Sequence, residues 1–185
     1  MHLILSNHQP LHCTYTDANS GLVQYKAHTP IKLHLRTTLS RLIDSDIPRR
    51  ETESAHPQTA ASSTGQPQLG TAGRFGLVAE FFWGKDSTIR FGGQDLSSKS
   101  YLRKEKVGWL VWEYIFKARD GKEYRWALRP HITTLKVNDA SGTVVAEYRD
   151  MSMGIMSKAR PASFEVFSGF EHMVDEVLSV RWVLI

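Results

Sequence analysis

Nine lysines and arginines stand against four acidic residues between positions 99 and 129, a net of +5 in a chain whose whole formal charge is +4. Arginine and lysine in such density can hold phosphate, arginine through paired charge-assisted hydrogen bonds and lysine as a point charge. On the run after Gly121, strand alternation puts Tyr124, Trp126 and Leu128 on one face and Arg125 and Arg129 on the other. The aromatic face belongs to a core. The basic face, with Arg103, Lys104, Lys106 and Lys122, makes a candidate anion site, for which an acidic lipid headgroup is a fitting ligand. The plainer reading is a solvated basic face, and nucleic acid is not expected from so mild an overall charge.

Residues suited to catalysis are present without the spacing catalysis needs. His12 and Cys13 are neighbours, so on a strand they point to opposite faces and cannot act as base and nucleophile; a small buried thiol is the simpler role. The eight histidines show no H-E-x-x-H or comparable ligand spacing, so no metal and no cofactor is expected. Glu80, Glu113, Glu123, Glu147 and Glu165 fall on separate expected strands, and the sequence pairs none of them. The segment from Gly73 to Val78 lacks the glycine pattern and following helix of a nucleotide site. Met151, Met153 and Met156, like the five tryptophans, read as packing. Arg49-Arg50-Glu51-Thr52 resembles a basophilic kinase site, with a solvated linker as the simpler reading.

With 185 residues, 41% hydrophobic and 10% aromatic, the chain can bury one sizeable core, so residues 1–185 are read as a single domain. One cysteine allows no internal disulfide, which fits a reducing compartment. The first dozen residues lack the basic start, long apolar stretch and cleavage site of a secretory leader. None of the three asparagines begins a glycosylation acceptor, and no segment approaches the roughly 20 apolar residues that cross a bilayer.

The elements that would position these residues are strands. Asp17 to Gly21, Asp120-Gly121 and Asn138 to Gly142 are each followed by an aromatic or β-branched run, the cadence of a β-meander. In the run ending near Ile43, Leu33, Leu35, Thr37, Leu39 and Arg41 share one face. Residues 44–73 carry no aromatic side chain and three prolines, and read as a flexible insertion between two strands. About a dozen strands exceed what an open twisted sheet comfortably holds, so closure into an antiparallel barrel, or folding into two layers, is expected. At the C-terminus the period changes. Ser168-Gly169-Phe170-Glu171 matches a capping box, and the residues from Met173 to Ile185 leave little polar face, which predicts a buried helix, a final strand being the alternative.

A mainly β, closed structure around a C-terminal helix resembles the tubby-like superfamily, which includes phospholipid scramblases and plant LURP-one-related proteins. More narrowly, Leu3–Ser6, Asp17–Lys26, Thr29–Thr38, Asp120–Leu128, Val144–Tyr148 and Val174–Leu184 are similar to an uncharacterised family of fungal domains common in mushroom-forming fungi. That family carries no activity to transfer. The lone cysteine, the basic segment and the expected barrel together lead us to expect a non-enzymatic, cytoplasmic binding or regulatory module, with an anionic phospholipid or a protein as partner and peripheral contact at membranes. The alternatives are a non-classically released, effector-like protein and a hydrolase whose site is assembled only in three dimensions.

Overall fold

A computed structural model describes residues 1–30, 36–44, 73–107, 111–154 and 158–184. The expected insertion, apart from its two ends, lies outside the described residues, as do Leu33, Leu35, Arg49–Thr52 and Met156.

The described residues form thirteen strands: β1 (His2–Leu5), β2 (Thr14–Asp17), β3 (Val23–His28), β4 (Arg36–Asp44), β5 (Arg74–Phe82), β6 (Thr88–Phe91), β7 (Gln94–Ser97), β8 (Arg103–Val107), β9 (Val111–Lys117), β10 (Glu123–Arg129), β11 (Ile132–Val137), β12 (Val144–Arg149) and β13 (Ser163–Val166). A single helical turn, α1 (Ser98–Tyr101), links β7 to β8, and α2 (Val174–Val183) follows the last strand. The three anticipated turns are present, with Gly21, Gly121 and Gly142 at positive φ. Their acids organise them: Asp17 accepts from Ser20, Asp120 from the Lys122 amide, and Asp139 from Ser141.

All thirteen strands belong to one antiparallel sheet, in the order β7-β6-β5-β4-β3-β2-β1-β13-β12-β11-β10-β9-β8. The chain thus makes two meanders that meet in the middle. Leu3 stands opposite Phe164, and the Met1 amino group donates to the Val166 carbonyl at 2.6 Å. The strand count exceeds the expected dozen by one. The pairings leave β7 and β8 as the two edges, so the structure shows a sheet and a helix without closing the sheet by a strand-to-strand ladder.

Helix α2 is the hub that the two meanders share. Val174, Glu176, Val177, Leu178, Ser179, Val180 and Trp182 are buried, as an all-round apolar surface requires. Its side chains reach both halves of the sheet: Asp175 meets Tyr25 of β3 and Arg41 of β4, Trp182 packs on Phe81 of β5, and Arg181 stacks on Tyr148 of β12. Each large apolar side chain so buried contributes roughly 1.5–3 kcal/mol.

The helix start differs from the expected capping box. Phe170 precedes a 3₁₀ turn at Glu171–Met173, and α2 begins only at Val174 without a side-chain cap. Glu171 does reach back, but to the Gly169 amide at 2.8 Å. The packing reading of the methionines and tryptophans also needs correction. Trp126 and Trp182 are fully buried, whereas Trp112, Met151 and Met153 are exposed, because Trp112 lies near the edge of the sheet and the methionines lie between strands.

Candidate functional site: a basic apolar rim

The six basic residues singled out from sequence do not form one surface. Cross-strand register places Arg103 opposite Ile115 and Ile115 opposite Arg125, so these two arginines share the outer face of the sheet. Both are already engaged. Arg125 pairs with Glu113 at 2.8 Å and with Asn138 at 3.0 Å, while Arg103 pairs with Glu105 at 3.1 Å and Glu123 at 3.5 Å. The pairing with Arg103 and, more strongly, a hydrogen bond from Asn138 hold Glu123 below the ordinary carboxylate range. Lys104 and Lys106 point to the opposite face, across from Tyr114 and Trp112. Lys122 sits in the β9–β10 turn at the far end of the strands.

What the fold does assemble is a rim at the other end. Antiparallel order brings three consecutive tips together there: β8–β9, β10–β11 and β12–β13. Val107, Trp112, Ile132, Met151 and Met153 are all exposed on these tips, Trp112 at 42% and Met153 at 77%. The Asp150 amide donates to the His131 carbonyl at 3.0 Å, which fixes the second tip against the third. Lys104 lies 4.1 Å from the Trp112 ring and Lys106 lies 6.0 Å from it, both in cation–π range. Lys104, Lys106, Arg129 and Lys158 make no ion pair among the described residues. Strand alternation alone separates Lys104 and Lys106 from Arg103, so that division was readable; the convergence of the three tips was not.

At the opposite end, a cleft of about 360 Å³ surrounds the start of α2. The two α2 carboxylates in it are each hydrogen-bonded. Glu176, 6% exposed, accepts from the Arg119 amide at 3.2 Å and the Tyr101 hydroxyl at 3.0 Å, and burial raises its carboxyl pKa. Asp175 accepts from Tyr25 at 2.7 Å and from Arg41 at 2.8 Å. The Arg119 guanidinium lies over the Phe91 ring at 4.2 Å. These contacts tie the first turn of α2 to both meanders, a structural task.

The candidate catalytic residues are equally occupied. Cys13 donates to the Pro10 carbonyl, and burial pushes its thiol up to about 12, so it stays a weakly nucleophilic thiol. His12 packs against His28, ring centroids 5.3 Å apart. Register does bring carboxylates together, Glu105 with Glu113 and Glu147 with Glu165. Arg125 bridges the first pair and Arg149 engages Glu147; neither pair lines the cleft at the start of α2. Among the described residues no group of three or more His, Cys, Asp or Glu could hold a metal, and no helix is long and apolar enough to cross a membrane.

The fold and its rim define a mainly β domain, one antiparallel sheet with a C-terminal helix packed into it. The chain belongs to a family of unknown function, DUF6593, whose model matches residues 8–180. Neither a curated protein nor a solved structure matched it.

Proposed function

We propose that this protein is a tubby-like barrel of fungal type that works as a non-enzymatic intracellular module and docks on anionic membrane through its rim. The contacts of α2 with strands of both meanders support the barrel reading, and a single buried cysteine suits a reducing compartment. One observation carries the docking reading: five exposed apolar side chains converge on three neighbouring tips beside lysines that have no acidic partner among the described residues. Tryptophan and methionine enter the headgroup layer, where an indole is at home. Each lysine near an anionic surface adds about 1 kcal/mol. Arg103 and Arg125, held by carboxylates, serve the sheet instead.

Co-sedimentation with phosphatidylcholine vesicles containing phosphatidylserine or a phosphoinositide tests this. Wild type binds at low salt and less as salt rises, because exposed charges are screened. Trp112→Ala combined with Lys104→Glu and Lys106→Glu abolishes binding, and Arg129→Glu weakens it. Absence of wild-type binding at low salt, or equal binding by the triple variant, removes the membrane reading and leaves a protein partner.

A further inference from the structure

Arg181, in the last turn of α2, is a cation inside the fold with no carboxylate on it. Its Nε is buried without a hydrogen-bond partner, and its guanidinium carbon lies 4.5 Å from the centre of the Tyr148 ring. No ion pair to Arg181 forms among the described residues; Asp150 acts on it only through space. Taking a charge out of water is costly unless an opposite charge or a full set of hydrogen bonds meets it. The helix C-terminus supplies only roughly half a negative charge.

The position of Arg181 links it to the rim. Tyr148 stands opposite Thr133, Thr133 opposite Leu128, and the next residue along this row on β9 is Trp112. Three strand spacings, roughly 14 Å of backbone, therefore separate the Trp112 and Tyr148 positions along the row. Arg181 keeps partial access to solvent.

We propose that Arg181 is the cation of a phosphate-binding site opening toward the rim, which takes the phosphate of a lipid headgroup or a free phosphate ester. Its planar fork suits two oxygens of one phosphate, with the Tyr148 ring holding it in place. The inference extends the docking reading to the group that would be read once the tips reach the membrane, and it stands or falls separately.

The test uses the full chain with two probes. Inorganic phosphate is titrated at constant ionic strength against chloride while the Arg181 Nε–H resonance and the melting temperature are followed. Phosphatidylcholine vesicles containing phosphatidic acid are compared with vesicles containing phosphatidylserine by co-sedimentation. Saturable movement of the Arg181 signal by phosphate, lost in Arg181→Met and weakened at least tenfold in Arg181→Lys, supports a free-phosphate site. A phosphatidic acid preference that disappears in Arg181→Met, without a response to inorganic phosphate, assigns the site to the headgroup. If neither probe gives a response that depends on Arg181, the proposal is overturned; the wild-type resonance and Arg181→Lys keep this readable should Arg181→Met not fold. An Arg181-dependent phosphate response alongside a rim variant that binds vesicles like wild type would sink the docking reading and keep the site.

Discussion

Trp182, on the last turn of α2, donates its indole N–H to the phenol of Tyr15 at 3.0 Å, across 167 residues of chain. Tyr15 in turn donates to the Pro10 carbonyl at 3.0 Å. The pair couples the last helix to the second strand, inside the core.

Trp126 offers the control, since it is equally buried but its indole nitrogen has no partner. Removing a satisfied buried donor loses a hydrogen bond, whereas removing an unsatisfied one relieves a desolvation penalty. Trp182→Phe should therefore destabilise more than Trp126→Phe by about 1–2 kcal/mol in urea unfolding, although the lost volume is the same. Equal losses would show that the hydrogen bond contributes nothing.

Val177 is fully buried at the middle of α2. Val177→Asp puts an unpaired carboxylate there at a cost of several kcal/mol, comparable to the stability of a typical domain. The variant is expected in the insoluble fraction, or soluble with no cooperative unfolding transition. A cooperative melt near that of wild type would mean that α2 is dispensable to the core.

Gly92 and Gly93 form the β6–β7 turn with φ of 56° and 78°. A Cβ on Gly93 meets open space, but one on Gly92 would fall 1.1 Å from an Arg119 guanidinium nitrogen. Alanine at either position incurs the left-handed penalty of about 1–2 kcal/mol. Only Gly92→Ala also pushes Arg119 off Phe91, so the Arg119 Nε–H resonance should shift in that variant and stay put in Gly93→Ala.

Burial holds the Glu176 carboxyl above its ordinary 4.5. The unfolded chain therefore ionises first as pH rises, the folded state keeps the extra proton, and stability falls across the window from that value up through the raised one. Glu176→Gln removes this titration. Its stability relative to wild type should be lowest below pH 4.5 and climb as pH rises toward neutrality. A gap independent of pH between 4 and 7 would contradict a raised carboxyl.

Much of the fold was legible because local chemistry dictates it. The Asp and Asn turns fix where strands end, and the run after Met173, with little polar face, calls for burial. The start of α2 was misread because Glu171 satisfies Gly169 from a 3₁₀ turn, a geometry the same four residues permit as readily as a capping box. The ion pairs of Arg103 and Arg125 were illegible for a different reason. Whether Arg125 meets solvent or Glu113 depends on the β9–β10 register, and a strand pattern read one segment at a time carries no register. The exposed Met151 and Met153 lie outside any strand, where alternation says nothing.

The core of this chain is completed only when the last element to be made arrives. At roughly 5–20 residues per second, a ribosome spends on the order of ten to thirty seconds between β1 and α2. Hairpins such as β1–β2 and β2–β3 can zip as they emerge, but the other edge of β1 must wait for β13, and the strands that pack on α2 must wait for the helix. Throughout that interval Phe81 lacks Trp182, its neighbour in α2. The nascent chain is then a natural client for chaperones, and a codon-level slowdown after residue 170 would lengthen the time it is exposed to aggregation without changing a single amino acid.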